Sequence, residues 1–195
     1  MLHYEILHQA RYSRGELLLR TFFGWFYIVI PHYFLLFFLM FASIFVVFVS
    51  WWAVLFTERY PRKFFDFIVR VYRWEARVEA KIIHLADGYP VFGLKQTDPS
   101  VQLDIPYPEK LSRGHLILRT LFGWLYCLIP HGIVLVFRSI ATFVLVILAW
   151  WAVLFTGNYP KKWHEFNVGT LRWNLRVNAY IIFLSDTYPP FSGKP

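Results

Sequence analysis

The chain has 195 residues, of which 57% are hydrophobic, 22% aromatic and only 16% charged, too little charge to cover a water-soluble globule of this size. Its formal net charge of +8 is concentrated in 59–81 and 161–176, directly after two apolar blocks. Membrane adjacency accounts for charge so placed, and nucleic acid is not an expected partner. The single cysteine, Cys127, excludes an intrachain disulfide and a thiolate metal site.

The N-terminal residues Leu2 to Ile6 weakly alternate apolar and polar, as a half-buried strand would. No basic region leads directly into an apolar one there, so no cleavable signal is expected. From Leu17 to Thr57 the chain is apolar and carries no acidic residue. As one straight helix it would be about 60 Å long, against a hydrocarbon core of about 30 Å. A transmembrane hairpin with spans at 17–35 and 38–57 resolves the mismatch and keeps Arg14, Arg20, Arg59, Arg62 and Lys63 on one side. The competing reading starts a single span at Pro31, a good first helical residue, and lays 16–30 along the surface.

After Tyr60-Pro61, the residues Phe64, Phe67, Val71, Trp74, Val78, Ile82 and Leu85 recur every three or four positions, predicting a helix over 61–86. Arg70, Arg73, Arg77 and Lys81 fall on its other faces, the pattern of a basic amphipathic helix lying in the membrane interface. Packing against the other copy is an equally open alternative. Lys95 to Ser100 is polar and turn-prone, and 95–109 reads as a linker that contains a second alternating segment, Val101 to Ile105. The two alternating segments are candidates to pair with each other.

From there the chain repeats itself at a constant offset of 99 residues. Ser13-Arg14-Gly15 returns as Ser112-Arg113-Gly114, Leu19-Arg20-Thr21 as Leu118-Arg119-Thr120, and Ile30-Pro31-His32 as Ile129-Pro130-His131. Trp51-Trp52, Tyr60-Pro61, Arg73-Trp74, Arg77-Val78, Asp87 and Tyr89-Pro90 recur in the same register. The first repeat therefore occupies 1–94 and the second 110–195, with expected spans at 116–136 and 139–156 and a helix over 160–185. Arg138-Ser139 lies near the middle of the second apolar run, where a hairpin turn would bring the guanidinium to water.

The fold expected is an all-α integral membrane protein of two tandem repeats, each a transmembrane helical hairpin plus a basic amphipathic interfacial helix, with short strands before each repeat. Six arginines are candidates for lipid headgroups: Arg73, Arg77, Arg172 and Arg176 on the amphipathic helices, and Arg20 and Arg119 near the start of the spans. The intramembrane polar candidates are His32 and His131, weighed against a plain role in bonding backbone freed by the adjacent proline. No phosphate loop, nucleophile elbow, metal-spaced histidine pair or cofactor motif is present, so no catalytic residue, metal or cofactor is expected.

The run from Trp151 to Pro160, with Leu171-Arg172-Trp173, Arg176 to Tyr180 and Asp186 to Phe191, resembles the domain of unknown function 4389 family of bacterial membrane proteins. The first copy departs from it at Glu58, Lys81 and Val91, where the second has Gly157, Tyr180 and Pro190. The resemblance implies a bacterial membrane location and a helical fold, and brings no catalytic residues with it. The function expected is a non-enzymatic inner-membrane scaffold or accessory subunit, multi-pass with both termini cytoplasmic, whose partners are anionic lipids and proteins or further copies of itself. The alternative is a small transporter or lipid-handling protein with a path between the repeats near His32 and His131.

Overall fold

The computed structural model describes residues 2–195. In the first copy β1 (His3–Ile6) precedes α1 (Arg14–Gly24), a π-helical turn (Trp25–Val29), α2 (Ile30–Thr57) and α3 (Arg62–Ile82). The second repeats the order with β2 (Val101–Asp104), α4 (Arg113–Gly123), a π-helical turn (Trp124–Leu128), α5 (Ile129–Thr156) and α6 (Lys161–Ile181). The helices after each apolar block thus lie where the periodicity placed them.

The apolar blocks do not fold as the expected hairpins. Residues Arg14–Thr57 and Arg113–Thr156 are each one continuous helix of 44 residues, and nothing interrupts the first near 36–37 or the second near 137–138. Of the two readings, the one that begins a helix at Pro31 comes nearer, since α2 starts at Ile30. An apolar run longer than a bilayer is thick need not divide, and here each stays a single helix.

What interrupts regularity is the π turn. Ile30 N–H bonds to Trp25 O, five residues back, and Ile129 N–H to Trp124 O. Pro31 and Pro130 follow at once, and without an N–H each leaves the carbonyl four residues earlier unbonded. Those carbonyls belong to Tyr27 and Tyr126. They are recovered from outside the helix, by Tyr89 OH at 3.0 Å and Tyr188 OH at 2.9 Å.

The two copies are interlocked about a pseudo-twofold axis. β1 pairs antiparallel with β2 in the register His3 with Asp104 and Tyr4 with Leu103, as the alternating segments suggested. Tyr4 and Leu103 are the same position of the repeat, so the axis passes through that pair. Each strand then covers the helix of the other copy: Arg172 Nε on α6 donates to Tyr4 O at 2.7 Å, and Arg73 Nε on α3 to Leu103 O at 2.8 Å.

The long helices exchange ends in the same way. Tyr12 N–H donates to Gly157 O and Leu111 N–H to Glu58 O, at 2.9 and 2.8 Å. Arg14 reaches Phe155 O and Arg113 reaches Phe56 O, while Trp51 and Trp150 donate to Thr120 and Thr21, each at 2.8 Å. The start of each long helix is therefore docked on the end of the other. Glu58 stands at φ 58°, where Gly157 serves in the second copy, and a side chain there costs about 1 kcal/mol. Its carboxylate is held by Lys110 at 2.8 Å and Arg113 at 3.5 Å.

The layers run from strands, through α3 and α6, to the long helices. Neighbouring residues of the middle layer point opposite ways: Arg73 and Arg172 to the strands, Trp74 and Trp173 to the long helices. A core of Leu17, Val54, Tyr60, Ile68, Leu116, Val153 and Tyr159 joins both copies at the helix ends. α3 and α6 are enclosed on both sides, which corrects the expectation of helices lying on an interface. Their basic faces meet backbone carbonyls of the chain itself, a partner that periodicity does not distinguish from water or lipid.

The exposed surface is on the long helices. Only 11% and 6% of their most apolar windows are buried, the reverse of a soluble core helix, and Phe22, Phe26, Phe34, Phe41, Phe137 and Phe143 all stand outward. Because each copy is completed by the other's strand and helix start, residues 1–94 expressed alone should fail to form a stable monomer. Co-expressed with 95–195 as a second chain, they should co-purify as a complex in mild detergent, and a folded, monomeric 1–94 would contradict the interlocked arrangement.

Candidate functional site

The residues retained between the copies assemble into one polar seam per copy, under the segment that follows α3 or α6. α3 ends with His84 at φ 60° and Leu85 N–H bonded back to Ala80 O, a closure that leaves late carbonyls without helical donors. Arg20, buried on α1, fills that role by donating from Nη1 to Lys81 O and Ala86 O and from Nε to Glu16 O. Its charge also suits the negative end of the α3 dipole.

Asp87 completes the unit. One carboxylate oxygen takes Arg20 Nη2 at 2.6 Å, and the other takes the backbone N–H of Ser13 at 2.6 Å. Ser13 in turn caps α1 by accepting from Glu16 N. The second copy builds the same unit from Arg119, Asp186 and Ser112, with Arg119 reaching Tyr180 O and Ser185 O, each at 2.7 Å.

The segment after α3 or α6 forms a strap over the seam, and further along each strap Arg77 donates to Gly93 O and Gln96 O, and Arg176 to Ser192 O and Lys194 O. Arg172 adds Gly193 O at 2.7 Å, and Arg73 pairs with Asp104 at 3.0 Å. Of the six arginines expected at lipid headgroups, Arg20, Arg77, Arg119, Arg172 and Arg176 are buried and Arg73 is half-buried. All six hold the protein's own backbone, so the basic faces are internal clamps.

His32 and His131 have no exposed surface. Trp74 Nε1 donates to His32 Nδ1 at 2.9 Å, and Trp173 Nε1 to His131 Nδ1 at the same distance. The acceptor nitrogen is thus unprotonated and the ring proton belongs on Nε2, which has no partner in either copy. Phe92 stacks on His32 at 3.7 Å between centroids, and Phe191 on His131 at 3.9 Å. The histidines belong to separate clusters, one in each copy, and do not form a joint site between the repeats.

Several residues named in the sequence have contacts that it does not reveal. Lys81 is buried and reaches Asp98 at 3.2 Å, Ser100 Oγ at 2.8 Å and Asp87 O at 2.6 Å, so the segment read as a plain linker is anchored to α3. Its counterpart Tyr180 instead bonds Tyr126 OH at 2.8 Å and lies under the Arg119 guanidinium. Arg138 is mid-helix rather than at a turn. It bonds Thr170 Oγ1 at 2.9 Å and Phe166 O at 3.2 Å on α6, with its guanidinium carbon 4.2 Å from the Phe166 ring centroid. The first copy has Leu39, Val71 and Phe67 in those places, a difference visible in the aligned repeats.

The family model for the domain of unknown function DUF4389 matches residues 16–93 and again 116–193. The chain belongs to that family, in two tandem copies. Neither curated proteins nor solved structures provide a match. The two matched segments include both long helices, both clamp helices and both straps, and omit the exchanged strands. No group of three or more His, Cys, Asp or Glu side chains able to hold a metal is found among the described residues.

Removing one partner of a buried pair leaves the other uncompensated, at a cost of about 3 kcal/mol. Asp87→Ala should therefore lower the melting temperature in detergent markedly. Tyr89→Phe, which only frees Tyr27 O, should cost about 1 kcal/mol. Equal effects of the two would show that the Arg20 pair is not a principal support.

His164, buried at the junction of the copies, donates from Nε2 to Leu85 O at 3.1 Å. Burial lowers its pKa to about 4, and burial with Arg20 lowers that of His84 to about 4. A depressed histidine takes up protons more readily when unfolded, so its contribution is complete above about pH 6.5 and declines toward about pH 4. Thermal melts should show that decline, and His164→Gln should make it shallower while His84 sustains the remainder.

Proposed function

We propose that this protein is a non-enzymatic membrane platform whose two long helices enter and leave a bilayer through the same face. The single observation that carries the reading is the pair of backbone bonds Tyr12 N to Gly157 O and Leu111 N to Glu58 O. They join the start of each long helix to the end of the other.

The strand pair supplies the orientation. Its outward residues are His3, Glu5, Gln102 and Asp104, all exposed and polar, and such a surface belongs in water rather than at the centre of a bilayer. The pseudo-twofold axis passes through that pair. A polar element on the axis requires the axis to stand along the membrane normal, because an axis in the membrane plane would place the strands at mid-depth. About a normal axis, equivalent residues share one depth, and the two backbone bonds then bring all four helix ends to that level.

The outward Phe, Leu, Ile and Val of α1, α2, α4 and α5 face lipid in this arrangement. The exposed cations Arg14, Arg59, Arg62, Lys63, Lys110, Arg113, Lys161 and Lys162 surround the helix ends and favour the cytoplasmic side of a bacterial inner membrane. Both termini follow them there. A rigid, doubly anchored body with a polar upper layer suits a scaffold or accessory subunit that gathers anionic lipid and protein partners. The clamp residues, spent on the fold itself, offer no catalytic constellation.

The test is side-specific labelling. In a Cys127→Ala background, single cysteines at Ser13, Lys63 and Ser112 should react with an impermeant maleimide from the cytoplasmic side only. Labelling of Ser13 and Lys63 from opposite sides would replace this arrangement with a spanning one.

A further inference from the structure

The retained residues build the fold, so a site peculiar to this protein is to be sought where its copies differ. The clearest difference is Arg138. It is half-buried on the face of α5 that packs on α6, in line with His131 and Thr142 and flanked by the outward Val134 and Phe137, and it lines a groove of about 640 Å³ together with Lys162, Arg172 and Lys194. Glu5 and Glu165 are the acidic side chains on its wall, which Pro195 also lines. Glu165 lies 3.9 Å from Lys161, and Glu5 lies beside His3.

Neither Arg138 nor Arg172 is paired with a carboxylate among the described residues, unlike Arg20 and Arg119. Their internal bonds use Nε and Nη2 of Arg138 and Nε and Nη1 of Arg172, leaving one terminal nitrogen of each for a ligand. Gly169 lets the arginine and the C-terminal segment approach α6 closely: a methyl group there would stand 2.9 Å from both Arg138 Nη2 and Gly193 O. The first copy has Arg70 at that position and Leu39 in place of Arg138. In its corresponding groove Arg73, the counterpart of Arg172, is paired with Asp104 at 3.0 Å, whereas Arg172 has no such ion pair among the described residues.

We propose that the second-copy groove binds the phosphate of an anionic phospholipid, between Arg138 and Arg172 with Lys162 and Lys194 at the rim, and that the acyl chains lie along the outward face of α5. The assignment of a lipid rests on the membrane reading above. The spare donors lie at the edge of an outward apolar helix surface, which suits an anion whose remaining surface is apolar, and a phospholipid supplies both. The spare donors and the fixed planes of the two arginines suit phosphate oxygens.

The test uses the full chain in nanodiscs and in detergent micelles, with phosphatidylglycerol as probe and phosphatidylcholine as control. The variant Arg138→Leu with Thr170→Val installs the first copy's own pair and so preserves packing. Native mass spectrometry should show phosphatidylglycerol retained by the wild type in preference to phosphatidylcholine, and at least about tenfold weaker retention by the variant at an unchanged melting temperature. Equal retention by the variant overturns the site. Displacement of the lipid by millimolar inorganic phosphate assigns the groove to free phosphate and overturns the lipid. Wild type that inserts into phosphatidylcholine vesicles without preferring phosphatidylglycerol also overturns the site but leaves the membrane reading intact, whereas failure to insert at all removes that reading.

Discussion

The molecule depends on two buried guanidinium groups, Arg20 and Arg119. Each faces the carbonyl-rich end of a helix, a carboxylate on the following strap, and the first turn of its own long helix. Without such a cation, two or three carbonyls and a carboxylate would be crowded together away from water, which is far more costly than any single hydrogen bond. With it, the beginning of the long helix, the end of the clamp helix and the strap become one unit. The order of residues in the repeat follows: Ser, Arg, Pro and His along the helix meet Asp, Tyr and Phe along the strap.

The proline of that series shows how a defect becomes a fastening. A proline within an apolar helix removes a donor, and the freed carbonyl of Tyr27 or Tyr126 has no water to turn to on a greasy surface. A tyrosine from the strap supplies the missing hydrogen, and a phenylalanine three residues later covers the histidine beside the proline. Break and strap are therefore coupled, and each fixes the register of the other.

Much of this was legible in the residues. The constant offset located both copies, the alternating segments located the strands and their pairing, and periodicity located α3 and α6 to within a few positions. The continuity of the long helices was not legible, because an apolar run longer than a bilayer is thick says only that it cannot cross straight. It can also remain one helix whose ends return to the same level. The internal bonds of the arginines were not legible for a related reason: Arg73, Arg77, Arg172 and Arg176 lie on a polar helix face whether the partner is water, a headgroup or the carbonyls of Gly93 and Ser192. Arg138 was noticed but placed at a turn, since its true partners, Thr170 and the Phe166 carbonyl, lie 32 and 28 residues away.

The exchange of strands and helix ends bears on ancestry. The strand pairing, the backbone bonds at the helix ends and the tryptophan–threonine bonds across the axis each occur twice, once in each direction, as in a self-complementary dimer. A chain bearing one unit would present the same unfilled surfaces and could fill them only with another molecule of itself. Joining two such units through 95–109 makes assembly independent of concentration and, once the halves no longer need to be identical, lets one of them acquire a Leu39 and the other an Arg138.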